Sequence, residues 1–366
     1  PFLNESLIIF FLLIINSLSI KGDLIMKKFF YTFMFLMIFI YPLKADIVVS
    51  NWDGYSAPDI METFEAATGV KGEMSFHATN EEIMGKVSAS KGAGYDVLFV
   101  SSPFAEALDK MGLLADIDHS KIPNIKNFYP EAMNLDFDPG NKFQVPYAWG
   151  TTGLCYRSDL VNETPDSWDD LLSPSDDLKG KITMLSTDRW LLAAGLLSLG
   201  YSVNETDENK LNEVKEKLIS AKKDLLAYDD TTFYSKLVSG EAVMTHAWDG
   251  WCNYAIWENP DVKYIIPKEG SDLWVDTMVI MKSSKNLDEA HAFINYILDA
   301  DIAAWTVNNI LYKVPNKAAM DATSEIADSF PNMGMSVDEL SGYETLKDVG
   351  SSAKLYAKTV SDILSD

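Results

Sequence analysis

Arginine is nearly absent from this chain: Arg157 and Arg189 are the only two, against 54 acidic residues. The guanidinium fork is the usual grip on carboxylate and phosphate, so its scarcity argues against an anionic ligand, although a lysine-rich genome composition produces the same bias. Histidine is sparse too. His77, His119, His246 and His291 are scattered without ligand spacing, which argues against a metal centre. Cys155 and Cys252 are the only cysteines, far apart and in apolar contexts. Two buried thiols is the default; a disulfide is compatible with an oxidising compartment, but spacing alone does not decide it. Nucleophile and phosphate motifs are missing: there is no Gly-x-Ser-x-Gly, and Lys91-Gly-Ala-Gly94 is a lone G-x-G without its third glycine. These absences leave little for an enzyme to work with, and no cofactor is expected. Internal repeats and low-complexity tracts are also lacking.

At the amino end, an apolar stretch from Pro1 to Ile25 precedes Met26, which is the better start. Met26-Lys27-Lys28, the thirteen nearly unbroken apolar residues Phe29 to Tyr41, and Pro42 to Ala45 form the charged, apolar and small-residue regions of a secretory signal peptide. We therefore expect residues 1–25 to be upstream over-translation and 26–45 to be a cleaved leader. A membrane anchor made from Leu7–Ile20 and Phe29–Tyr41 is the alternative. No cysteine follows the apolar run, so lipid anchoring is disfavoured. Without the leader, four lysines and two acids are lost, and the net charge moves from −24 to −26 over 321 residues. That surface repels nucleic acid and anionic lipid, and the length suits two lobes better than one core.

Strand and helix patterns alternate along the mature chain. Strands are expected at Asp46–Trp52, Val70–Phe76 and Tyr95–Ser101, with helices opening at Ser56-Ala-Pro58, at the capping box Thr79-Asn-Glu-Glu82 and at Pro103. Phe137 to Thr151 is rich in turn formers and leads into a fresh strand, Gly153–Tyr156, so a crossing between lobes fits there. A second alternation follows: strands at Lys181–Leu185, Leu225–Tyr228, Ala242–Ala247 and Val262–Ile266; helices at Asp188–Leu199, Asp207–Lys222, Thr232–Val238 and Trp251–Glu258. Leu287–Asn309 reads as one long helix, and two acidic amphipathic helices close the chain. The pattern implies mainly parallel sheets covered on both faces, with ligand chemistry in the loops after the strands' carboxyl ends.

Three of those loops share one chemistry. In Leu273-Trp274-Val275-Asp276 the indole and the carboxylate are two residues apart, so in an extended segment both look to one face. A ring beside an anion holds an organic ammonium: the carboxylate takes the N–H donors, and the ring quadrupole takes the remaining charge. Trp248-Asp249-Gly250-Trp251 and Asn51-Trp52-Asp53-Gly54-Tyr55 repeat the formula, each directly after an apolar strand. Any one of them alone reads as core packing. A quaternary ammonium such as choline or betaine would also suit an aromatic box, but it has no N–H to offer and would leave the carboxylates partly unpaired.

At these residues the chain resembles the periplasmic spermidine/putrescine-binding proteins of ABC importers, over essentially all of the mature sequence. The shared stretches are collinear: Asn51-Trp52 with Tyr55, Tyr95-Asp96 into Ser101, Pro146-Tyr-Ala-Trp-Gly150, Leu178-Lys-Gly-Lys181, Leu199-Gly-Tyr-Ser202, Trp248 with Gly250, Pro267-Lys-Glu-Gly270 with Trp274 and Asp276, and Tyr312 with Pro315-Asn316. The resemblance implies an α/β, two-lobed periplasmic binding protein of type II, a monomer, with two chain crossings and a mainly parallel sheet in each lobe. Lobe 1 would be residues 46–151 plus 276–319, and lobe 2 residues 152–275 plus 320–366. A di- or polyamine would be held in the cleft and delivered to an inner-membrane permease. Trp52, Tyr55, Trp248, Trp274 and Tyr312 would be the aromatic walls, Asp276 the main ammonium acceptor and Ser101 a polar contact, with Asp249 and Asp53 as further acids. Gly54 stands where relatives often carry an acid, and Trp190 where many carry a glutamate for the far amine; Asp188 is the candidate replacement. A short diamine is therefore the expected preference.

Overall fold

β1 (Ile47–Asn51), β2 (Gly72–Phe76) and β3 (Val97–Ser101) are consecutive parallel strands joined by helices Ile60–Thr68 and Asn80–Ser90. The computed structural model describes residues 45–366, so the expected over-translated segment, the leader ahead of Ala45 and the alternative membrane anchor lie outside the described residues. β3 shows why such a strand stays inside. Val97 and Phe99 face one hydrophobic cluster, Leu98 and Val100 the other, so both faces are covered. Thr79 caps the second helix as its spacing predicts, accepting from Glu82 N at 3.1 Å, while Glu82 Oε2 takes the Ala78 amide at 2.7 Å.

The remaining strands are β4 (Val145–Arg157), β5 (Ile182–Met184), β6 (Ala227–Tyr228), β7 (Met244–Trp248), β8 (Val262–Ile265), β9 (Asp272–Ile280) and β10 (Glu344–Thr345). Their order is β2-β1-β3-β9-β4-β7-β5-β6, with β8 on β4 and β10 on β9. The fold is the expected two-lobed α/β type, but the sheets are mixed. β9 runs antiparallel to β3 and β4, and β4 runs antiparallel to β7 and β8. From Val145 to Thr151 β4 pairs with β9; from Thr152 on it pairs with β7, so one strand serves both halves.

Four local expectations are corrected. Pro146–Thr151 is strand rather than turn-rich connection: the register shifts between Pro146 and Ala148, an irregularity of the kind that lets a proline sit in a ladder. The helix expected over 287–309 is two, Leu287–Ile297 and Ala300–Ile310. Asn127 and Asn316 side chains capture the Leu298 carbonyl at 3.1 and 2.9 Å, and Asp299 caps the second helix through Asp301 N at 3.0 Å. The carboxyl end holds four short helices between Lys317 and Leu340, then β10 and the helix Ala353–Ser365, instead of two long ones. Finally, Cys155 and Cys252 are joined, with Cα atoms 5.8 Å apart, linking β4 to the helix Asp249–Glu258 across a separation of 97 residues.

β10 brings a strap that both halves hold. The Ser102 hydroxyl donates to Leu346 O at 2.8 Å and Glu106 Oε2 accepts the Asp348 amide at 3.0 Å; from the other side Arg189 donates to Lys347 O and Asn204 Nδ2 to Thr345 O at 2.8 Å.

Candidate functional site

Three elements bring one carboxylate and its two donors together. β9 sets Asp276 opposite Ser101 at the end of β3, and β1, alongside β3, delivers Tyr55 in the loop that follows it. Asp276 Oδ1 accepts the Ser101 hydroxyl at 2.6 Å, and Oδ2 accepts the Tyr55 hydroxyl at 2.8 Å. Behind them Asn80 fixes Ser101 twice: its Oδ1 accepts the Ser101 amide at 3.0 Å and its Nδ2 donates to the hydroxyl at 3.1 Å. Asn80 had no sequence signal beyond following a cap. Tyr147, which donates to Tyr55 O at 2.6 Å and contacts the Thr306 hydroxyl at 2.9 Å, was visible only as part of a shared motif.

Aromatic rings enclose this group in edge-on contacts. Tyr55 lies 5.5 Å from Trp52 and 5.9 Å from Tyr312, and Tyr312 lies 4.9 Å from Trp274. Trp52 also leans on His77 at 5.0 Å. Close approach demands two glycines here: a Cβ on Gly250 would run into the Tyr312 ring, and one on Gly150 into Trp274 and the Asp249 carboxylate. A separate aromatic pair lies at the end of β7, where the half-buried Trp248 meets the edge of Trp190 at 5.6 Å.

The acids fall into three kinds. Burial pushes Asp276 up to about 6, opposed by its bonds from Ser101 and Tyr55; burial and the nearby Glu81 push Asp188 to about 6 as well. Neither shift includes a lysine or arginine among the described residues. Asp249 differs. It is only 4% exposed, pushed up to about 7 by burial, and both its oxygens are engaged by backbone amides, of Thr151 at 3.1 Å and Gly250 at 2.8 Å. It ties the start of the helix Asp249–Glu258 to the middle of β4. Asp53 is exposed in its turn and takes part in none of these contacts. The buried cation nearby, Lys313, donates to Met333 O and Met335 O at 2.9 and 2.8 Å.

Burial holds the Tyr55 and Tyr312 phenols well above their ordinary range, with Asp276 adding to both, so Tyr55 remains a donor at any physiological pH. A buried carboxylate, Asp276, met by two hydroxyls beside aromatic rings and with no lysine or arginine among the described residues acting on it, favours a positively charged organic guest. Among the described residues no group of three or more His, Cys, Asp or Glu is placed to hold a metal ion, and no helix is long and apolar enough to cross a membrane.

Comparison with known proteins gives the family. Residues 59–332 match the model of the bacterial extracellular solute-binding proteins. A spermidine/putrescine-binding periplasmic protein of Salmonella typhimurium is 30% identical over 307 residues, 84% of this chain and 88% of that one. A putrescine/cadaverine-binding protein of Pseudomonas aeruginosa is 31% identical over 281 residues, 74% and 79% of the two chains. The solved substrate-binding protein of a spermidine/putrescine ABC transporter from Streptococcus pneumoniae superposes with a TM-score of 0.71 at 29% identity, covering 87% of this chain and 97% of that one. With the family model matching residues 59–332 and relatives aligning over most of its length, the chain belongs to the bacterial extracellular solute-binding protein family.

Proposed function

We propose that this protein is an exported receptor that captures a primary di- or polyamine of the putrescine/spermidine class between its lobes and delivers it to an inner-membrane ABC permease, without catalysis. The observation that carries this reading is Asp276: a carboxylate raised by burial, hydrogen-bonded only by hydroxyls, and ringed by Tyr55, Tyr312 and Trp274. An ammonium donates to it and lies against the rings. In this reading Trp52 and Trp248 close the walls and Ser101 and Tyr55 hold the acceptor in place. Lobe 1 comprises residues 46–151 plus 276–319, and lobe 2 residues 152–275 plus 320–366. The receptor works as a monomer, free in the periplasm rather than lipid-anchored.

A thermal-shift screen with putrescine, cadaverine, spermidine, spermine, choline and glycine betaine tests it. A ligand that binds only the folded state raises the melting point, by about 2.7 kcal/mol of stability at a hundredfold excess over Kd. Amines bearing N–H groups should stabilise the protein, and choline and betaine should not. Stabilisation by the quaternary compounds alone would overturn the assignment.

A further inference from the structure

Ser101 closes β3 and stands at the N-cap of the helix Ser102–Lys110, yet its side chain makes no capping bond there. An N-cap serine ordinarily turns its oxygen to the amide two or three residues on. Two residues on is Pro103, which has no N–H, and the Phe104 amide does not donate to Ser101. The hydroxyl is held instead between side chains from two other elements, Asn80 Nδ2 at 3.1 Å and Asp276 Oδ1 at 2.6 Å. Both Asn80 and Ser101 are buried, so neither exchanges its partner for water. Asn80 opens its helix, and the reciprocal capping bonds of Thr79 and Glu82 lock that first turn, so the amide is presented from a fixed base.

The direction of each proton follows from what each group can donate. The Ser101 amide only donates, so the Asn80 atom 3.0 Å from it is Oδ1, and the atom facing the Ser101 hydroxyl is Nδ2, which also only donates. The hydroxyl oxygen therefore accepts on the Asn80 side, and its single hydrogen goes to Asp276 Oδ1. That bond and the one from Tyr55 oppose the burial that raises Asp276 to about 6. Released from Asn80, the Ser101 oxygen is free to turn to the Phe104 amide, which leaves Asp276 with Tyr55 alone. The other titratable groups around the carboxylate stay silent near neutral pH: burial holds the Tyr55, Tyr147 and Tyr312 phenols above their ordinary range, and His77, against Trp52, down at about 4. Asp188 and Asp249 titrate at about 6 and about 7, but neither is among the groups that shift Asp276.

We propose that Asn80 is a positioning residue of the amine site: by filling the acceptor side of the Ser101 hydroxyl it commits that proton to Asp276 and keeps the carboxylate charged for its guest. The inference rests on the amine-receptor reading above and adds to that site a residue that touches no ligand. Asn80→Ala removes the amide, and Asn80→Leu removes it at nearly the same volume, which separates a lost hydrogen bond from a cavity. In the ligand-free chain, carbon-detected NMR of the Asp276 carboxyl, identified by its loss in Asp276→Asn, should show it titrating about one unit higher in both variants than in the wild type. Titration calorimetry with putrescine should show a loss of about fivefold at about pH 6 that shrinks to less than about twofold at about pH 8.5, where the carboxylate is ionised in every variant. Ser101→Ala should give the same pattern, and adding Asn80→Ala to it should cost nothing further. An Asp276 titration unmoved in both Asn80 variants, a loss of affinity equal at the two pH values, or a second loss in the Ser101→Ala background makes Asn80 a merely structural residue and overturns the inference, leaving the amine receptor standing. A shifted titration without binding of putrescine or any other amine supports the role of Asn80 and overturns the receptor reading instead.

Discussion

Asp276 and Ser101 face each other across an antiparallel pair, and the Ser101 hydroxyl donates to Asp276 Oδ1 at 2.6 Å. A carboxylate so held is positioned before any guest arrives, and little reorganisation is needed to pair it with a cation. Asp276→Ala should therefore abolish useful binding. Removing one partner of a buried charge pair costs about 2–5 kcal/mol, roughly 30-fold to several-thousand-fold in affinity. Titration calorimetry checks it, and a well-folded mutant that loses less than about fivefold, near 1 kcal/mol, rules the assignment out. Asp276→Asn keeps the shape and one acceptor, and should fail as well.

Acidity should set binding strength. Asp276, raised to about 6, pairs with an ammonium only when ionised, so affinity should weaken as pH falls below about 6, approaching tenfold per unit. Stability of the free protein should move the other way. Asp188 and Asp276 at about 6 and Asp249 at about 7 keep protons in the folded state that the unfolded chain releases near 4. From these groups, stability is greatest below about 4 and declines as pH rises through 6 to 7. Melting curves of the wild type against Asp276→Asn isolate the Asp276 share; the same pH slope in both would refute it.

The bridge between Cys155 and Cys252 fixes the first turn of the helix that begins at Asp249, directly after Trp248. In the chain-entropy account a loop of this length stabilises by about 4–5 kcal/mol. Reduction, or Cys252→Ala, should lower the unfolding free energy by about that amount, read as a lower urea midpoint, and loosen amine binding with it. An unchanged midpoint in dithiothreitol would mean the thiols are not joined in solution.

In the proposed reading Trp52 belongs to one lobe and Trp248 to the other, so the lobes should close on the ligand. Small-angle scattering should show a smaller radius of gyration at saturating amine. An unchanged radius would place the whole site in one lobe.

Much of the near end was legible because strand geometry is local. Trp274 and Asp276, two apart in β9, share one enclosure through Tyr312 and Tyr55, as period-two reasoning requires. What sequence could not supply was long-range. Asn80 reaches Ser101 over 21 residues, and Asn127 and Asn316 break a helix by seizing one carbonyl, Leu298 O. Asp249 illustrates the limit of composition: beside Trp248 it resembles a ligand acid, yet two backbone amides already hold it. Asp53, in the turn after β1, is exposed. The contact of Trp190 with Trp248, 58 residues further along, likewise emerges only from the fold.

The strap at Glu344–Asp348 also fixes an order of events. Its partners Ser102, Arg189 and Leu273 are made long before it, and none of those contacts exists until residue 344 and its successors are synthesised. The joint between the two halves is therefore finished by a late segment, and a chain that stops before Glu344 lacks the strand on β9 and the contacts that Ser102 and Arg189 make with it.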